Sequence, residues 1–140
     1  MHDKLQNADV LAWILQHDIV FFSELRSDAP ISVPGFHTYQ DSRHGGIAAL
    51  VRNCLVSSLV KVDLSTINQC WIELQCLPGI TIVGCYIPPP DSPYFSLNDV
   101  AALQCRIIAS EKKCFLIGDF NARCGETVKT LPSLVPHAWN

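Results

Sequence analysis

Cys114-Phe115-Leu116-Ile117-Gly118-Asp119-Phe120-Asn121-Ala122 is the stretch that decides the fold of this chain. Its short apolar run stops at Gly118, and a carboxylate and a carboxamide follow at Asp119 and Asn121. An apolar run bounded by turn residues predicts a buried strand, and polar residues just past a strand end are placed to meet a ligand. Because they share a parity, extended geometry would project both side chains to one side. Gly, Asp and Asn also dominate turns, so a plain turn is the alternative.

The length and composition limit the kind of protein this can be. The 140 residues suffice for one domain with a hydrophobic core. Hydrophobic residues make up 49% and mean hydropathy is +0.21, so we expect a large core or an apolar surface that a partner covers. The net charge of -3 and isoelectric point near 5.9 do not fit a free-standing nucleic-acid binder, which carries a basic surface. Phosphate contact would need a metal ion or a local basic patch.

Cysteine use and hydropathy indicate an intracellular protein. The number of cysteines, 7, is odd, and there is no Cys-x-x-Cys pair or N-terminal signal peptide. A disulfide framework and a zinc module are therefore not expected. Most cysteines stand in apolar runs and are predicted to be small buried hydrophobes in a reducing compartment, nuclear or cytoplasmic. No apolar run approaches the roughly 18 residues of a membrane span, so no membrane partner is expected.

The first half of the chain predicts a helix followed by strands. Apolar residues at helical spacing predict an amphipathic helix from Lys4 to Gln16. Ile19 to Glu24 follows as a buried strand, and its terminal carboxylate stands at a strand end as Asp119 does. Glu24 could also be a solvated residue that opens a loop. Further strands are predicted at Phe36 to Gln40, Ile47 to Val51 and Leu55 to Val62.

Basic and titratable residues flank the strand predicted at Ile47 to Val51. Arg43 and His44 precede it, followed by the turn at Gly45-Gly46, and Arg52 lies after it. Together the three could form a small patch that faces a phosphate, and Arg43 and His44 are the candidate substrate-binding residues. Charged residues that flank strands are usually only solvated, so that alternative stays open.

The clearest local structure is a hairpin that ends at a tyrosine. Gln69 to Leu77 alternates with a period of two, Pro78-Gly79 supplies a turn, and Ile80 to Ile87 returns as the partner strand. Pro88-Pro89-Pro90 then ends the pairing. Tyr86 therefore lies near a strand end, where its hydroxyl could donate to an anion. Packing as an ordinary aromatic strand residue is the alternative.

A second helix leads from the hairpin to the deciding strand. Ser96, with Asp99 three residues on, resembles a capping box that opens a helix from about Leu97 to Ser110. Its apolar stripe is predicted to consist of Val100, Leu103, Ile107 and Ile108. Prolines and a glycine break the pattern beyond the deciding strand. Residues 1–125 are therefore assigned to the domain, and residues 126–140 to a loop or poorly ordered tail.

The order of these elements resembles a known superfamily. A strand ends in a glutamate, a hairpin ends in Tyr-x-Pro-Pro and a later strand ends in Gly-Asp-Phe-Asn, as in the endonuclease/exonuclease/phosphatase superfamily of deoxyribonuclease I and the apurinic endonucleases. Tyr86-Ile87-Pro88-Pro89 and Gly118-Asp119-Phe120-Asn121-Ala122, together with Gly45-Gly46-Ile47-Ala48, are most similar to the endonuclease domain of non-LTR (LINE-type) retrotransposons. The resemblance covers about Lys4 to Gly125.

The resemblance implies an α/β fold, namely a partial four-layer α/β sandwich with mixed, mostly antiparallel sheets flanked by helices. It also implies hydrolysis of phosphodiester bonds in DNA with Mg²⁺, or Mn²⁺, as cofactor. By resemblance, Glu24 would bind the metal and Asp119 would orient and deprotonate the attacking water. Asn121 would help to hold the substrate phosphate, and the Tyr86 hydroxyl would contact the scissile phosphate.

The sequence departs from the family pattern at both ends. The family's first strand carries an Asn that helps to bind the metal, whereas Asn7 falls inside a predicted helix. The family ends with Ser-Asp-His, and His137 follows Asn121 too soon to supply that histidine. The chain is therefore expected to be an interior piece of the fold. Loss of a general acid-base group lowers a rate by about 10² to 10⁴, so we expect weak or absent catalysis by this chain alone.

Two alternatives to a DNA endonuclease stay open on the sequence. One is a catalytically silent interaction module that binds a partner or itself through an uncovered sheet, which the apolar composition would suit. The other is a phosphoesterase of the same superfamily that acts on inositol lipids or small phosphoesters, because a fold does not determine a substrate.

Overall fold

Two β-sheets pack face to face, and helices cover their outer faces. The computed structural model describes residues 2–122. The helices are α1 (His2–Leu5), α2 (Ala8–Ile14), α3 (Asn53–Val56) and α4 (Leu97–Ala109). The strands are β1 (Ile19–Ser23), β2 (Phe36–Asp41), β3 (Ile47–Arg52), β4 (Leu59–Asp63), β5 (Gln69–Leu74), β6 (Ile80–Tyr86) and β7 (Lys113–Asp119). The predicted α/β class, with its layers of helix, sheet, sheet and helix, is confirmed.

The first sheet has β3 at its centre, antiparallel to β1 on one side and to β2 on the other. Alternate residues of β3 pack toward the helices and toward the second sheet. Side chains of a strand alternate between its faces, so a strand covered on both faces needs a continuous apolar run. The run from Ile47 to Val51 supplies it.

The second sheet has the order β4-β5-β6-β7. β5 and β6 form the antiparallel hairpin that the sequence predicts, and β6 pairs with β7 in parallel. A parallel pair needs a crossover, which α4 provides on the outer face of this sheet. The crossover brings the end of β7 beside the end of β6.

The core between the sheets is apolar and closed. Cys70, Ile72 and Leu74 of β5 pack against β3. A Cβ atom on Gly84 would lie 2.2 Å from Cδ1 of Phe21, so β6 has a glycine where the ring from β1 packs across the interface. This core fixes the separation of β1 and β6, whose ends carry candidate site residues.

The helices α2 and α4 are each capped by a side chain and each bury one residue in the core. The N–H of Asp9 donates to Oδ1 of Asn7 at 2.8 Å, and the N–H of Asp99 donates to Oγ of Ser96 at 3.3 Å, as predicted for α4. Leu103 is the buried residue of α4. None of the helices within residues 2–122 is long and apolar enough to cross a membrane.

Two predicted elements differ in the structure. The helix from Lys4 to Gln16 is divided into α1 and α2, because Asn7 is in an extended conformation and caps the second helix. The strand from Leu55 to Val62 is wrong in its first half, where the chain forms α3 before β4 begins at Leu59. β3 and β4 belong to different sheets, so the chain must turn between them.

β7 is also less buried than predicted. Within the described residues it is the edge strand, and Phe115 and Ile117 are 55% and 51% exposed.

The prediction for the apolar stripe of α4 is wrong at Ile108, which is 82% exposed. Among the cysteines, the prediction of burial holds for Cys70 and Cys85, whereas three are exposed and lie on the surface: Cys54, Cys76 and Cys105. The predicted tail at 126–140, with His137, lies outside the described residues.

Candidate active site

Side chains predicted at three strand ends come together at one edge of the molecule. The Tyr86 hydroxyl donates a 2.8 Å hydrogen bond to Oε1 of Glu24. Asp119 is the partner of Tyr86 in the β6–β7 ladder. The backbone N–H of Asn121 donates to Oδ1 of Asp119 at 2.9 Å. The structure therefore brings together all of the candidate catalytic and metal-binding residues, which come from both sheets.

Strand parity explains why Tyr86 reaches a residue of the other sheet. Ile82 and Gly84 precede it at intervals of two, and both face the first sheet. Ile82 packs in the inter-sheet core, and Gly84 lies against Phe21. Tyr86 therefore also points toward the first sheet, just beyond the core, where Glu24 follows β1.

The segment after β1 is fixed by a buried leucine and by the Gly-Gly turn. Leu25 is 2% exposed, and its two neighbours project toward solvent. The N–H of Arg26 donates to the carbonyl oxygen of Gly45 at 2.8 Å. Gly46 has φ 90°, and a Cβ there would lie 3.0 Å from the carbonyl oxygen of Asp41. The Gly45-Gly46 turn, which belongs to the motif Gly45-Gly46-Ile47-Ala48, thus positions the residues beside Glu24.

The end of β7 depends on a glycine and on a turn. A Cβ on Gly118 would lie 1.7 Å from the carbonyl oxygen of Cys85, so only glycine permits this approach of β7 to β6. Asn121 has φ 46°, and its Nδ2 donates to the carbonyl oxygen of Ile87 at 2.8 Å. The expectation that extended geometry aligns Asp119 with Asn121 is therefore wrong, because a turn and its hydrogen bonds join them.

The hydroxyl of Tyr86 is held in its protonated form. Burial is the largest cause that raises the pKa of Tyr86, and the hydrogen bond to Glu24 raises it further. The side chain of Asn121 acts in the opposite direction. Because the pKa is raised above 10, the hydroxyl is a hydrogen-bond donor at neutral pH.

Arg43 and His44 lie near the site but do not form the predicted patch with Arg52. The guanidinium of Arg43 binds the Asp41 carboxylate at 2.9 Å and donates to carbonyl oxygens of the β4–β5 loop. Arg52 lies at the other end of β3, where it pairs with Asp18 at 3.0 Å. The predicted patch of three residues is therefore wrong, since Arg43 and His44 precede β3 and Arg52 is the last of its six residues. The substrate-binding role of Arg43 and His44 stays a prediction.

Two recesses adjoin these residues. An open cleft of about 560 Å³ lies between the proline-rich exit of β6 and the end of β7, and Asp119 and Asn121 line it. A separate cavity of about 220 Å³ lies beside Tyr86 and is also lined by His44, Asn68 and Tyr94. The carboxylate of Asp119 is therefore open to solvent through the cleft.

Backbone strain is concentrated at this edge. Within the described residues the non-glycine residues with positive φ are Glu24, Arg26, His44, Asn68 and Asn121. Each of them belongs to the site, pairs with a site residue or lines the cavity beside Tyr86. Such conformations persist only where the surroundings hold them, and they cluster at functional sites.

Sequence reasoning missed three residues here. Nη2 of Arg26 lies 3.5 Å from Oε1 of Glu24, and its side chain is 80% exposed. Both residues follow β1 with left-handed backbone conformations, φ 52° at Glu24 and φ 51° at Arg26, so strand alternation could not have paired them. Asn68 and Tyr94 approach the site only through the tertiary fold, and no local pattern marks them.

The donor atoms at this edge suit a hard divalent cation. Glu24 and Asp119 offer exposed carboxylate oxygens, and no cysteine is among the residues that line the cleft. Residues 2–122 contain no cluster of three or more His, Cys, Asp and Glu side chains that would enclose a metal. Mg²⁺ commonly binds through one or two carboxylates and keeps several waters, so the residues present fit it.

Comparison with known proteins identifies the family. No curated protein matches the chain. The family model described as Endonuclease/Exonuclease/phosphatase family matches residues 1–137, nearly the full length. Its members are of phosphodiesterase and nuclease type, typically dependent on a divalent metal. The chain therefore belongs to the endonuclease/exonuclease/phosphatase family.

Proposed function

We propose that this chain hydrolyses phosphodiester bonds in DNA, as the LINE-type endonuclease domains that it resembles do, with Mg²⁺ or Mn²⁺. The observation that carries the proposal is the hydrogen bond from Tyr86 to Glu24, with Asp119 and Asn121 at the adjoining strand end. Two carboxylates, a protonated phenol and a carboxamide are the groups that phosphoryl chemistry needs at one place.

Asp119 is the general base of the proposed reaction. Its Oδ1 accepts the hydrogen bond from the N–H of Asn121, which fixes the orientation of the carboxylate. The side chain is exposed at the cleft, so a water molecule can reach its other oxygen. A carboxylate within hydrogen-bond reach of water can orient it and accept its proton during attack on phosphorus.

Tyr86 and Asn121 bind the phosphate. The Tyr86 hydroxyl is protonated at neutral pH and can donate to a phosphate oxygen in place of Glu24. The amide of Asn121 is anchored by its hydrogen bond to Ile87, and the residue lines the cleft beside Asp119. Donors held in place before the reaction stabilise charge that develops on the phosphate.

Glu24 holds the metal in this proposal. Its side chain is 45% exposed, and within the described residues its carboxylate accepts the hydrogen bond from Tyr86 and forms the 3.5 Å ion pair with Arg26. A bound divalent cation would neutralise charge on the phosphate. Because residues 2–122 contain no group of three or more His, Cys, Asp and Glu side chains that could hold a metal, we propose a slow enzyme, about 10² to 10⁴ below a site with a further acid-base group.

Nicking of supercoiled DNA tests the proposal, since one cut per plasmid is visible and slow rates are measurable. The purified chain is incubated with Mg²⁺ or Mn²⁺ beside Glu24→Gln and Asp119→Asn. The matched control is Glu111→Gln, which neutralises an exposed glutamate that lies outside the site. We expect nicking by wild type and Glu111→Gln, and a loss of at least about 100-fold in the two site variants and with a chelator.

The result that would overturn the proposal is a folded wild-type chain that does not nick DNA with either metal. Nicking that survives Glu24→Gln and Asp119→Asn would equally contradict it, because the activity would then come from elsewhere.

A silent interaction module that associates with itself is the second candidate. Phe115 and Ile117 are exposed on β7. Phe115 pairs with Ile82 of β6, which packs between the two sheets, so both β7 side chains lie on the face of this sheet that is turned toward the first sheet. Two copies could pair such edges symmetrically. Sedimentation of wild type against Phe115→Lys tests this: a dimer that the lysine dissociates supports it, and a wild-type monomer excludes it.

A further inference from the structure

The cavity beside Tyr86 has features of a binding site that the hydrolytic residues do not use. It measures about 220 Å³, below the roughly 300 Å³ of pockets for drug-sized ligands, so it admits one ring system. The turn before β3, the loop before β5 and the loop before α4 all contribute to its walls. Its contact with Tyr86 places any occupant beside the proposed phosphate site.

One wall of the cavity carries a tilted pair of aromatic rings. The rings of His44 and Tyr94 have centroids 5.0 Å apart and planes 34° apart. Tyr94 is 58% exposed, so the pair is open to a ligand instead of being packed in the core. An exposed aromatic face of this kind stacks on the flat rings of nucleobases.

The same cavity carries a buried hydrogen-bond acceptor without a donor. Asn68 is 6% exposed, and its Oδ1 has no hydrogen-bond partner within the described residues. The neighbouring amide differs, since Oε1 of Gln69 accepts from the Trp71 indole at 2.9 Å. A buried acceptor left unpaired is destabilising, so a ligand that supplies an N–H would be favoured.

Asn68 is also tied to the hydrolytic site. Its carbonyl oxygen accepts the backbone N–H of Tyr86 at 3.0 Å, and its φ of 60° is one of the strained values at this edge. Asp99, another lining residue, donates its backbone N–H to Ser96, and its carboxylate takes no part in that bond. Its carboxylate adds a second acceptor. The acceptors select a ring with amino or ring N–H donors.

We propose that this cavity binds one unpaired, amino-bearing nucleobase, adenine, cytosine or guanine, of a nucleic-acid strand whose phosphate lies at Tyr86. The base would stack on Tyr94 and His44 and donate to Oδ1 of Asn68. That the base belongs to a nucleic-acid strand rests on the proposed function, whereas binding of the base itself does not. The substrate would then be single-stranded or carry a base turned out of the duplex.

Binding without cleavage tests the proposal. Calorimetric titrations in a chelator compare the 5′-monophosphates of deoxyadenosine, deoxycytidine, deoxyguanosine and thymidine. We expect Tyr94→Ala to weaken binding about tenfold or more, through lost stacking. Asn68→Gly suits the left-handed backbone and should abolish the preference over thymidine monophosphate. Trp13→Ala, which removes one ring of the similar Trp13–His17 pair at the C-terminal end of α2, is the matched control and should change nothing.

Three results would overturn the proposal. One is no binding of any nucleotide up to about 1 mM. Another is binding that Tyr94→Ala and Asn68→Gly leave unchanged, and the last is equal affinity for thymidine monophosphate. If a dA pentamer binds no more tightly than the mononucleotide, the ligand is a free nucleotide and not part of a nucleic-acid strand.

A parallel nicking assay separates the two proposals. Nucleotide binding by a chain that never nicks DNA supports the base site and refutes the hydrolase. Nicking by a chain that binds no nucleotide does the reverse.

Discussion

The core between the sheets and the edge that carries Glu24 and Tyr86 differ in polarity, solvent exposure and backbone conformation. The core is apolar, closed to solvent and formed by regular strands, as at Ile72, which is fully buried. The edge has left-handed residues, an unpaired buried amide at Asn68 and exposed carboxylates. The core therefore provides the stability that holds the strained edge in place.

Replacement of Ile72 by alanine should have the largest effect on stability. The side chain is buried in the inter-sheet core, and its truncation leaves a cavity. We expect a loss of about 2–5 kcal/mol in the free energy of unfolding, measured by urea denaturation. Val60→Ala, at a 58% exposed position in β4, is the control and should cost far less. Equal losses in the two variants would contradict the comparison.

Gly118→Ala should lower both the stability of the fold and the activity of the edge, because it changes the position of β7. Its Cβ would collide with the backbone oxygen of Cys85 and move β7, which carries Asp119. We expect a loss of about 1–3 kcal/mol in unfolding free energy, together with reduced nicking by the molecules that stay folded. Gly35→Ala is the control: it has a positive φ of 88° but no atom within 4 Å of the added Cβ. A similar loss in both would assign the effect to backbone conformation alone.

Asp63, the last residue of β4, gives a smaller, pH-dependent effect on stability. Hydrogen bonds from Ser65, then from Arg106, lower the pKa of Asp63 to about 2 from 3.8. A lowered pKa stabilises the fold above the unfolded value, and this contribution disappears as the pH falls through the folded one. We expect Asp63→Asn to be less stable than wild type above about pH 4, with the difference shrinking toward pH 2. A difference that does not change with pH would refute this.

Asn121→Gly should have the smallest effect on stability. Glycine adopts the φ of 46° freely, but the variant loses the hydrogen bond to Ile87, so the two changes offset within about 1 kcal/mol. We expect nicking to fall while the thermal midpoint stays nearly unchanged. Unchanged nicking would show that the amide is not part of the chemistry.

The sequence predicted the strand ends better than their surroundings. Alternation and proline placed Tyr86 at the end of a hairpin, and the apolar run placed Asp119 at the end of a strand. The apolar runs at Ile47 to Val51 and at Cys114 to Gly118 look alike, yet one is central and the other lies at an edge. Order within a sheet depends on pairing between distant segments, which a local pattern does not encode.

The cavity could not be predicted from the sequence. His44, Asn68 and Tyr94 come from three separate loops, and their meeting depends on how the sheets pack. The bond from Tyr86 to Glu24 likewise joins residues 62 positions apart. Only the family resemblance related those two residues before the fold was known.

The most direct test of the central claim is to measure the nicking rate per folded molecule and the unfolding free energy together, for Glu24→Gln and Ile72→Ala. We predict that Glu24→Gln loses at least about 100-fold in rate and keeps its stability. Ile72→Ala should lose stability and retain the rate of its folded fraction. A Glu24→Gln variant that nicks DNA at the wild-type rate would contradict the assignment of hydrolysis to this edge.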